Sequence, residues 1–494
     1  MMFENIISFL NKGLSYITRL LKGVFDPEQE KKYPWLKWIW ILSLFIVGAL
    51  LWGKFLNFGR ITFDFHDWAE ISAPRVAFIQ DAVKKGMLPL HMPDGSALRN
   101  VTDRFMSIPD PILSPQIILL AFMDVGPFIL VNTLLLYIVG GLGLLWFRKK
   151  FSLSLGVFTV LFFLFNFNGH MLSHFSVGHI NYTGYYLFPW AIALIIKMLE
   201  DTNSWKWVLS SSLLLFLVFL QGSYHHFIWL LMLFGLIGLA RWDVLPQVIK
   251  VLFFSILLSM VRILPPALEA AKFDSEFLGG YPTVLDVLKA MVVIVQPSQA
   301  FDHRTLLTTL GWWEFDLYIG LFGAAIFLFF GVYKGIQSIA NKENILRPFY
   351  LPIVILFVLS IGRVYRLVRL VPVPLFAGER VSSRMIIVPF VIILLLAAIE
   401  LQKWIDRQTM TPLRKIGGLG FILLIVHDLW QYLKFWQVTN SVQFFPVTPV
   451  DLSIKVVANH PDPQYFTALG VGAGISLLAL IFLISMAVRE RKRA

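Results

Sequence analysis

Long apolar runs follow one another along the whole chain, separated by polar segments. Many of these runs are about 20 residues long, which is enough for a helix to cross the ~30 Å hydrocarbon core of a bilayer, and several are shorter. We predict twelve spans, at 35–56, 125–147, 152–168, 184–199, 206–221, 226–240, 246–264, 316–334, 349–362, 385–403, 416–435 and 466–488. The pattern therefore predicts an all-α, polytopic membrane protein.

The composition agrees with a bilayer as the main environment of the chain. Hydrophobic residues make up 57% of it, and the mean hydropathy is +0.72. Charged residues make up only 15%, against about 25% in soluble domains. We interpret the net charge of +12 as loop charge that sets membrane topology, and not as a nucleic-acid-binding surface. Cysteine is absent, which excludes disulfides, thiolate metal sites and cysteine nucleophiles.

Lysine and arginine are concentrated in alternate connections between the predicted spans. Connections rich in these residues stay on the cytoplasmic side of a membrane. They are Arg148, Lys149, Lys150, Arg241, Lys250, Lys334, Lys342, Arg347, Lys403, Arg407, Arg414 and Lys415, followed by a basic tail. The short connections 169–183 and 222–225 contain neither residue. We therefore predict a protein of the inner (cytoplasmic) membrane with both termini in the cytoplasm.

The predicted spans divide the chain into three parts. Residues 1–34 form a cytoplasmic lead-in with an interfacial helix at 5–23, residues 35–488 form the transmembrane domain, and residues 489–494 form a basic cytoplasmic tail. The long connections on the outer face are 57–124, 265–315, 363–384 and 436–465. Within the first of them, 70–85 and 112–123 are predicted to be helices that lie on the membrane surface.

An acidic cluster follows the first predicted span and contains Asp64, His66 and Asp67. Ionisable residues near a membrane core are costly, so they are candidates for function. Two carboxylates three positions apart can bind a cation, or one of them can serve as a general base. The alternative is a solvated loop, or an N-cap that Asp67 forms for the helix predicted at 70–85.

Five of the ten histidines fall in two short outer connections. His170, His174 and His179 lie in the first connection, and His225 and His226 lie in the second. Since His170 and His174 are four positions apart, they would share a helix face and zinc is one interpretation. No third ligand follows at a recognisable spacing. Hydrogen bonding to a polar ligand, or interfacial packing with nearby tyrosines, is favoured over zinc.

Two further clusters are expected on the outer face. The first contains Trp313, Glu314 and Asp316, where an outer connection enters a span. Acidic side chains beside aromatic rings are suited to binding a sugar. The alternative is an aromatic belt at the membrane interface with solvated acids.

The second cluster consists of arginines that interrupt the positive-inside pattern, namely Arg262, Arg363, Arg366, Arg369, Arg380 and Arg384. Guanidinium groups match phosphate oxygens in bidentate geometry. Anionic lipid headgroups, or pairing with Glu379, are the alternatives for these arginines.

Four segments resemble motifs of the GT-C superfamily of membrane glycosyltransferases, and more narrowly of its YfhO-like bacterial members. The acids at 64–67 and the helix at 70–85 stand where that family has an acidic motif and surface-lying helices. Residues 176–181 (SVGHIN) resemble its Gly-His-hydrophobic-Asn element, and 314–320 (EFDLYIG) resemble its acidic entry into a later span. Residues 376–384 (FAGERVSSR) resemble its Arg-x-x-x-Arg stretch, in which the family more often has proline at Val381 or Ser382. The likeness covers about 60–480.

The resemblance implies a GT-C-like fold, a polyprenyl-phosphate sugar as donor, and a lipid, glycan or protein acceptor on the outer face. It implies Asp67 or Asp64 as the general base, with His66 beside them, and inversion at the sugar carbon. The substrate- and phosphate-binding residues would be Arg262, Arg363, Arg366, Arg380, Arg384, His179, Asn181, His225, His226, Trp313, Glu314 and Asp316. Relatives in the wider superfamily need a divalent metal, so a divalent cation stays open and no other cofactor is assigned.

Other functions fit parts of the pattern. A ligase or polymerase of undecaprenyl-linked glycans would use the outer arginines and histidines without the first-loop acid. A lipid or glycolipid transporter would place charges near the membrane midplane, often within inverted repeats; we find no repeat, although His427 and Asp428 stand inside a predicted span. A non-catalytic scaffold is a further alternative.

Overall fold

The fold is almost entirely helical. The computed structural model describes residues 23–32, 34–88, 111–201, 204–267, 278–301, 303–304, 309–341, 343–368, 370, 379–409, 411–456 and 463–493. In this part of the chain the strands are His303–Arg304 and Thr309–Leu310, which pair antiparallel. The predicted interfacial helix at 5–23 lies outside the described residues except for its last position, and Arg369 lies outside them as well.

The helices follow one another with short connections. The α-helices are Pro27–Glu30, Pro34–Phe55, Ala73–Lys84, Val125–Lys150, Leu155–Asn166, Gly169–Ser176, Phe188–Glu200, Trp205–Leu220, Tyr224–Ala240, Leu245–Leu258, Met260–Ala267, Val284–Val292, Gly320–Ile326, Ile336–Ala340, Tyr350–Ser360, Gly362–Val368, Ile387–Asp406, Pro412–Trp436, Val438–Ser441 and Pro463–Arg493. Trp68–Ser72 and Phe327–Gly335 are π-helical. The 3₁₀ helices are Asn57–Gly59, Pro115–Ala121, Ile180–Leu187, Trp242–Val244, Pro297–Gln299, Trp312–Glu314, Arg347–Phe349 and Ser382–Ile386.

The helices have the lengths that a polytopic membrane protein needs. Among the described residues, eight continuous helical segments are long and apolar enough to cross a bilayer. Three shorter apolar segments are Trp205–Leu220, Tyr224–Ala240 and Arg347–Ser360. The span predicted at 246–264 is divided into two helices that meet at Ser259. The prediction of an all-α, multi-pass membrane fold is confirmed, and the count of twelve spans stays a prediction.

One segment, Leu155–Ser176, lies at the centre of the bundle. Its apolar window is completely buried by other parts of the chain, whereas the window of Pro463–Lys492 is only 17% buried. The helix breaks at Phe167, and the side chain of Asn168 restarts it by accepting a hydrogen bond from the Met171 amide at 3.1 Å. Asn168 also donates to the hydroxyl of Tyr185 at 3.1 Å. The cap therefore fixes the direction in which Gly169–Ser176 leaves the core.

The first long connection begins with a strained loop. Five of the described non-glycine residues have positive φ, and four of them are Asn57, Phe58, Phe63 and His66. Each such residue costs about 1–2 kcal/mol. Strain of this kind persists where the surrounding structure enforces it, and it concentrates at functional sites. The loop just before Asp67 is therefore a place where the chain gives up stability to hold a particular shape.

The helix predicted at 70–85 is present, but it packs against protein. Eight residues of Ala73–Lys84 are buried, and the helix contacts the 3₁₀ helix Pro115–Ala121. The amide of Gln80 donates to the carbonyl of Met123 at 2.8 Å. The second helix, predicted at 112–123, is shorter than expected and has 3₁₀ geometry, with Pro115 in its first turn.

The chain between Pro412–Trp436 and the last helix returns to the first long connection. The amide of Thr448 donates to the carbonyl of Asp64 at 2.7 Å, and Val447 forms an antiparallel bridge with Phe65. Further along, the amide of Val456 donates to the carboxylate of Asp81 at 2.7 Å. These contacts place the first and last long connections at the same end of the bundle.

Candidate functional site

Asp67 is the centre of the site. It stands at the start of helix Trp68–Ser72, yet its side chain makes no capping hydrogen bond. The N-cap alternative is therefore wrong. Its Oδ2 lies 2.8 Å from Nε2 of His179 instead, and its Oδ1 lies 3.6 Å from Nδ1 of His66. The side chains of Asp67 and His179 are only 13% and 12% exposed, so the pair is nearly enclosed by protein.

The contact between Asp67 and His179 depends on a tight turn. Gly178 has a φ of +102°, and a Cβ there would lie 2.5 Å from the backbone nitrogen of Trp68. The indole of Trp68 donates to the carbonyl of Ser176 at 3.0 Å, and the hydroxyl of Ser72 donates to the carbonyl of Gly178. The turn that ends the central helix is therefore held directly against the backbone of the first loop.

The histidines form one buried group around Tyr182. Nδ1 of His179 lies 2.7 Å from Nδ1 of His174, and the ring of His174 stacks on Tyr182 at 4.0 Å. His170 packs on His174, with ring centroids 4.7 Å apart. No group of three His, Asp or Glu residues in the described ranges is arranged to hold a metal ion. The zinc interpretation of His170 and His174 therefore gains no third ligand from this part of the chain.

A buried ion pair joins two of the predicted clusters. Arg384 binds Glu314 through both Nε and Nη2, each 2.5 Å from a carboxylate oxygen. The guanidinium carbon of Arg384 lies 5.8 Å from the ring centre of Tyr182. Burial opposes ionisation of Glu314, but the guanidinium beside it holds the pKa of that carboxyl below its usual range. The carboxylate therefore stays charged within the protein interior.

A second buried carboxylate, Glu379, lies beside the same group of histidines. Glu379 accepts hydrogen bonds from Nδ1 of His225 and from the indole of Trp229, both at 3.0 Å. Burial alone would raise the pKa of Glu379, but His225 and the other donors hold it below its usual value. The ring of His226 lies 5.1 Å from Tyr182 and 5.3 Å from Trp229. Tyr182 thus connects the two carboxylates through the histidine group.

Trp313 does not offer the open stacking face that its sequence position suggested. Its side chain is only 7% exposed. The ring meets His66 edge-on at 4.8 Å and packs against Phe445 at 5.8 Å. Burial lowers the pKa of the His66 imidazole, although the Asp67 carboxylate beside it opposes that shift. Phe445 was not expected from the sequence, because a lone phenylalanine in a distant connection has no local signal.

The remaining predicted residues differ in their surroundings. Asp316 is buried and accepts hydrogen bonds from the hydroxyl of Tyr432 and the amide of Tyr318, and its burial raises its pKa to about 7. Asp64 has a buried Oδ1 with no hydrogen-bond partner among the described residues. Arg363, Arg366 and Arg380 are exposed, and Arg262 is 2% exposed in helix Met260–Ala267. The carbonyl of Asn181 accepts from Ser223. Among the arginines predicted to bind phosphate, Arg384 is the one that hydrogen bonds and ring contacts place in the site.

The structure joins Asp67, His66, His179, Glu314 and Arg384, and it adds His174 and Tyr182. From the sequence, His174 was predicted to hydrogen bond to a polar ligand or to pack with nearby tyrosines, with zinc as the less favoured interpretation, and it was not among the predicted site residues. The five-residue spacing between His174 and His179 contains Gly178, which lets the chain reverse and bring the two rings together.

No family model matches this chain, and no curated protein sequence matches it. The chemistry of the site must therefore carry the functional argument.

Substitution of Gly178 by alanine should damage the site. An alanine must adopt an unfavourable φ and would also clash with the Trp68 backbone, so we expect a loss of at least about 1–2 kcal/mol of stability. Thermal unfolding of the purified protein in detergent measures this loss. Gly235→Ala is the matched control, since a Cβ at Gly235 would meet nothing within 4 Å. Equal melting temperatures for the two variants would contradict the close approach.

Proposed function

We propose that the chain is a GT-C-type glycosyltransferase that moves a sugar from a polyprenyl-phosphate donor to an acceptor hydroxyl at the outer face of the membrane. The observation that supports it most is the Asp67 carboxylate, held by His179 at 2.8 Å. A carboxylate held by a histidine in a nearly closed site is suited to general-base catalysis. The strained loop that precedes Asp67 also favours a functional role for this segment.

In the proposed reaction, the acceptor hydroxyl gives its proton to Asp67 as its oxygen attacks the anomeric carbon of the sugar. The bond between that carbon and the phosphate oxygen breaks, and the polyprenyl phosphate leaves with the electron pair. We assign the contact with the leaving phosphate to Arg384. Because Nε and Nη2 of Arg384 bind Glu314, the phosphate would meet Nη1.

The proposal includes a membrane arrangement. The chain would cross the inner membrane twelve times with both termini in the cytoplasm, and the site would face outward. The end of the bundle that carries Asp67 also carries residues 444–456. The basic connections 148–150 and 403–415 lie at the opposite ends of the helices that precede them. This separation agrees with the positive-inside rule.

The membrane arrangement can be tested with single cysteines, because the natural chain has none. Ser453 and Glu343 are both exposed, and they lie in connections of opposite predicted side. Ser453→Cys should react with an impermeant maleimide in intact cells, and Glu343→Cys should react only after the membrane is opened. The reverse pattern would place the site on the cytoplasmic face and refute the proposed donor.

Replacement of Arg384 by lysine should weaken donor binding. Lysine keeps the positive charge but loses the planar fork, so we expect binding of a polyprenyl phosphate to weaken by about 1–3 kcal/mol. Calorimetric titration of the detergent-solubilised protein measures the change. Arg363→Lys is the control, since Arg363 is exposed and outside the network. Equal affinity in the Arg384 variant and the control would favour lipid headgroup anchoring instead.

Replacement of Asp67 by asparagine should abolish most transfer. The change preserves size and polarity but removes the base, and loss of a general base costs about 10²-fold or more in rate. Release of polyprenyl phosphate from polyprenyl-phosphate sugars measures the rate. Asp64→Asn should have a smaller effect, because the buried Oδ1 of Asp64 has no hydrogen-bond partner among the described residues. Full activity in both variants and in the double variant would favour a ligase that does not need the first-loop acid.

A further inference from the structure

Three side chains form a continuous hydrogen-bonded row that starts at Asp67. Oδ2 of Asp67 lies 2.8 Å from Nε2 of His179. Nδ1 of the same imidazole lies 2.7 Å from Nδ1 of His174. The far nitrogen of His174, Nε2, is buried and has no hydrogen-bond partner among the described residues. His174 itself is fully buried, so water at the protein surface does not reach it.

The protons in this row can be counted. Each of the two gaps holds one proton, because a hydrogen bond between two nitrogens, or between a nitrogen and a carboxylate oxygen, needs one. A neutral histidine carries one N–H. With Asp67 as a carboxylate, the first proton must belong to Nε2 of His179. Nδ1 of His179 is then an acceptor, so the second proton belongs to Nδ1 of His174. This assignment leaves a lone pair on Nε2 of His174, in agreement with the lack of an acceptor for a proton there.

We infer that His174 is a positioning residue, which donates its Nδ1–H to His179 and thereby fixes the tautomer in which His179 presents Nε2–H to Asp67. In the other tautomer, Nε2 of His179 would carry a lone pair that faces the carboxylate, and the contact would become repulsive. The fixed donor occupies Oδ2 of Asp67, while Oδ1 lies 3.6 Å from Nδ1 of His66. The catalytic consequence rests on the proposed function, whereas the tautomer itself does not.

The surroundings of His174 favour this neutral arrangement. His170, His226 and Tyr182 are the buried polar neighbours of the row, and Arg384 lies beyond the Tyr182 ring. An added proton on His174 would face the Arg384 cation, and no carboxylate contacts His174 among the residues that the structure describes. A neutral imidazole that donates from Nδ1 therefore avoids placing a second unpaired charge in a buried region.

The tautomer can be measured without any activity assay. The full chain, labelled with ¹⁵N-histidine and held in nanodiscs, contains ten imidazoles. The ¹⁵N chemical shift of each ring nitrogen, measured by NMR, distinguishes a protonated nitrogen from an unprotonated one. His179→Asn and His174→Asn assign the two signals. We expect His179 to carry its proton on Nε2 and His174 to carry its proton on Nδ1. A proton on Nδ1 of His179, or an imidazolium at either residue near neutral pH, would overturn the inference even if transfer by Asp67 is established.

Two substitutions at His174 separate positioning from packing. Asparagine places an amide N–H near the position of Nδ1. Leucine fills the space of the imidazole but has no hydrogen-bond donor for His179. We expect kcat for transfer to fall at least about tenfold in His174→Leu with KM for the donor unchanged, since loss of tautomer control is costly in related dyads. His174→Asn should recover most of the rate. His170→Leu is the matched control, because His170 touches His174 but makes no hydrogen bond to His179.

The outcomes of these experiments are distinct. An equally low kcat in the asparagine and leucine variants, with both proteins folded, would show a packing role and overturn the inference. Wild-type kcat in His174→Leu would overturn it as well. Full transfer by Asp67→Asn would refute the proposed function instead, and the nitrogen shifts would still decide whether His174 fixes the tautomer of His179.

Discussion

The close approach between Gly178 and the backbone of Asp67 and Trp68 is the constraint on which the site depends. It brings the end of a completely buried helix against a loop that starts more than a hundred residues earlier in the chain. Any side chain at position 178 would push the two segments apart. The hydrogen bonds from Trp68 and Ser72 to the turn then fix how the loop is rotated. His179 follows the turn immediately, so its imidazole has little freedom to leave Asp67.

Around this contact, three buried or nearly buried carboxylates have hydrogen-bond donors beside them. Glu314 has Arg384, Glu379 has His225 and Trp229, and Asp67 has His179. Transfer of charged groups from water to the protein interior is unfavourable. The attraction within a buried ion pair offsets this desolvation free energy only when the geometry is good. The stabilising result of such pairs is small, so their presence is better explained by the specific arrangement that they hold. Tyr182 lies among these groups: the guanidinium of Arg384 faces its ring, and the rings of His174 and His226 pack against it.

The fold class could be predicted from the sequence because apolar runs of helical length are a local signal. The runs around 155–168 and 385–403 became buried helices in the structure. The pairing of Asp67 with His179 could not be predicted, since nothing local reveals a contact across 112 residues. The burial of individual side chains could not be predicted either. Trp313 was expected to offer an exposed stacking face, and Asp316 was expected to contact a substrate. Both have their partners inside the protein, and only tertiary packing decides this.

The central position of Leu155–Ser176 also bears on how the protein responds to different membranes. Bilayers differ in hydrocarbon thickness by a few ångströms, and helices that touch lipid adapt by tilting. The last helix and Pro34–Phe55 have largely exposed apolar windows, whereas the helix that leads to Gly178 and His179 has none of its window exposed. We therefore expect the rim of the bundle to adapt first to a change in lipid thickness. The acid and its histidines, which follow the buried helix, should respond less to such a change.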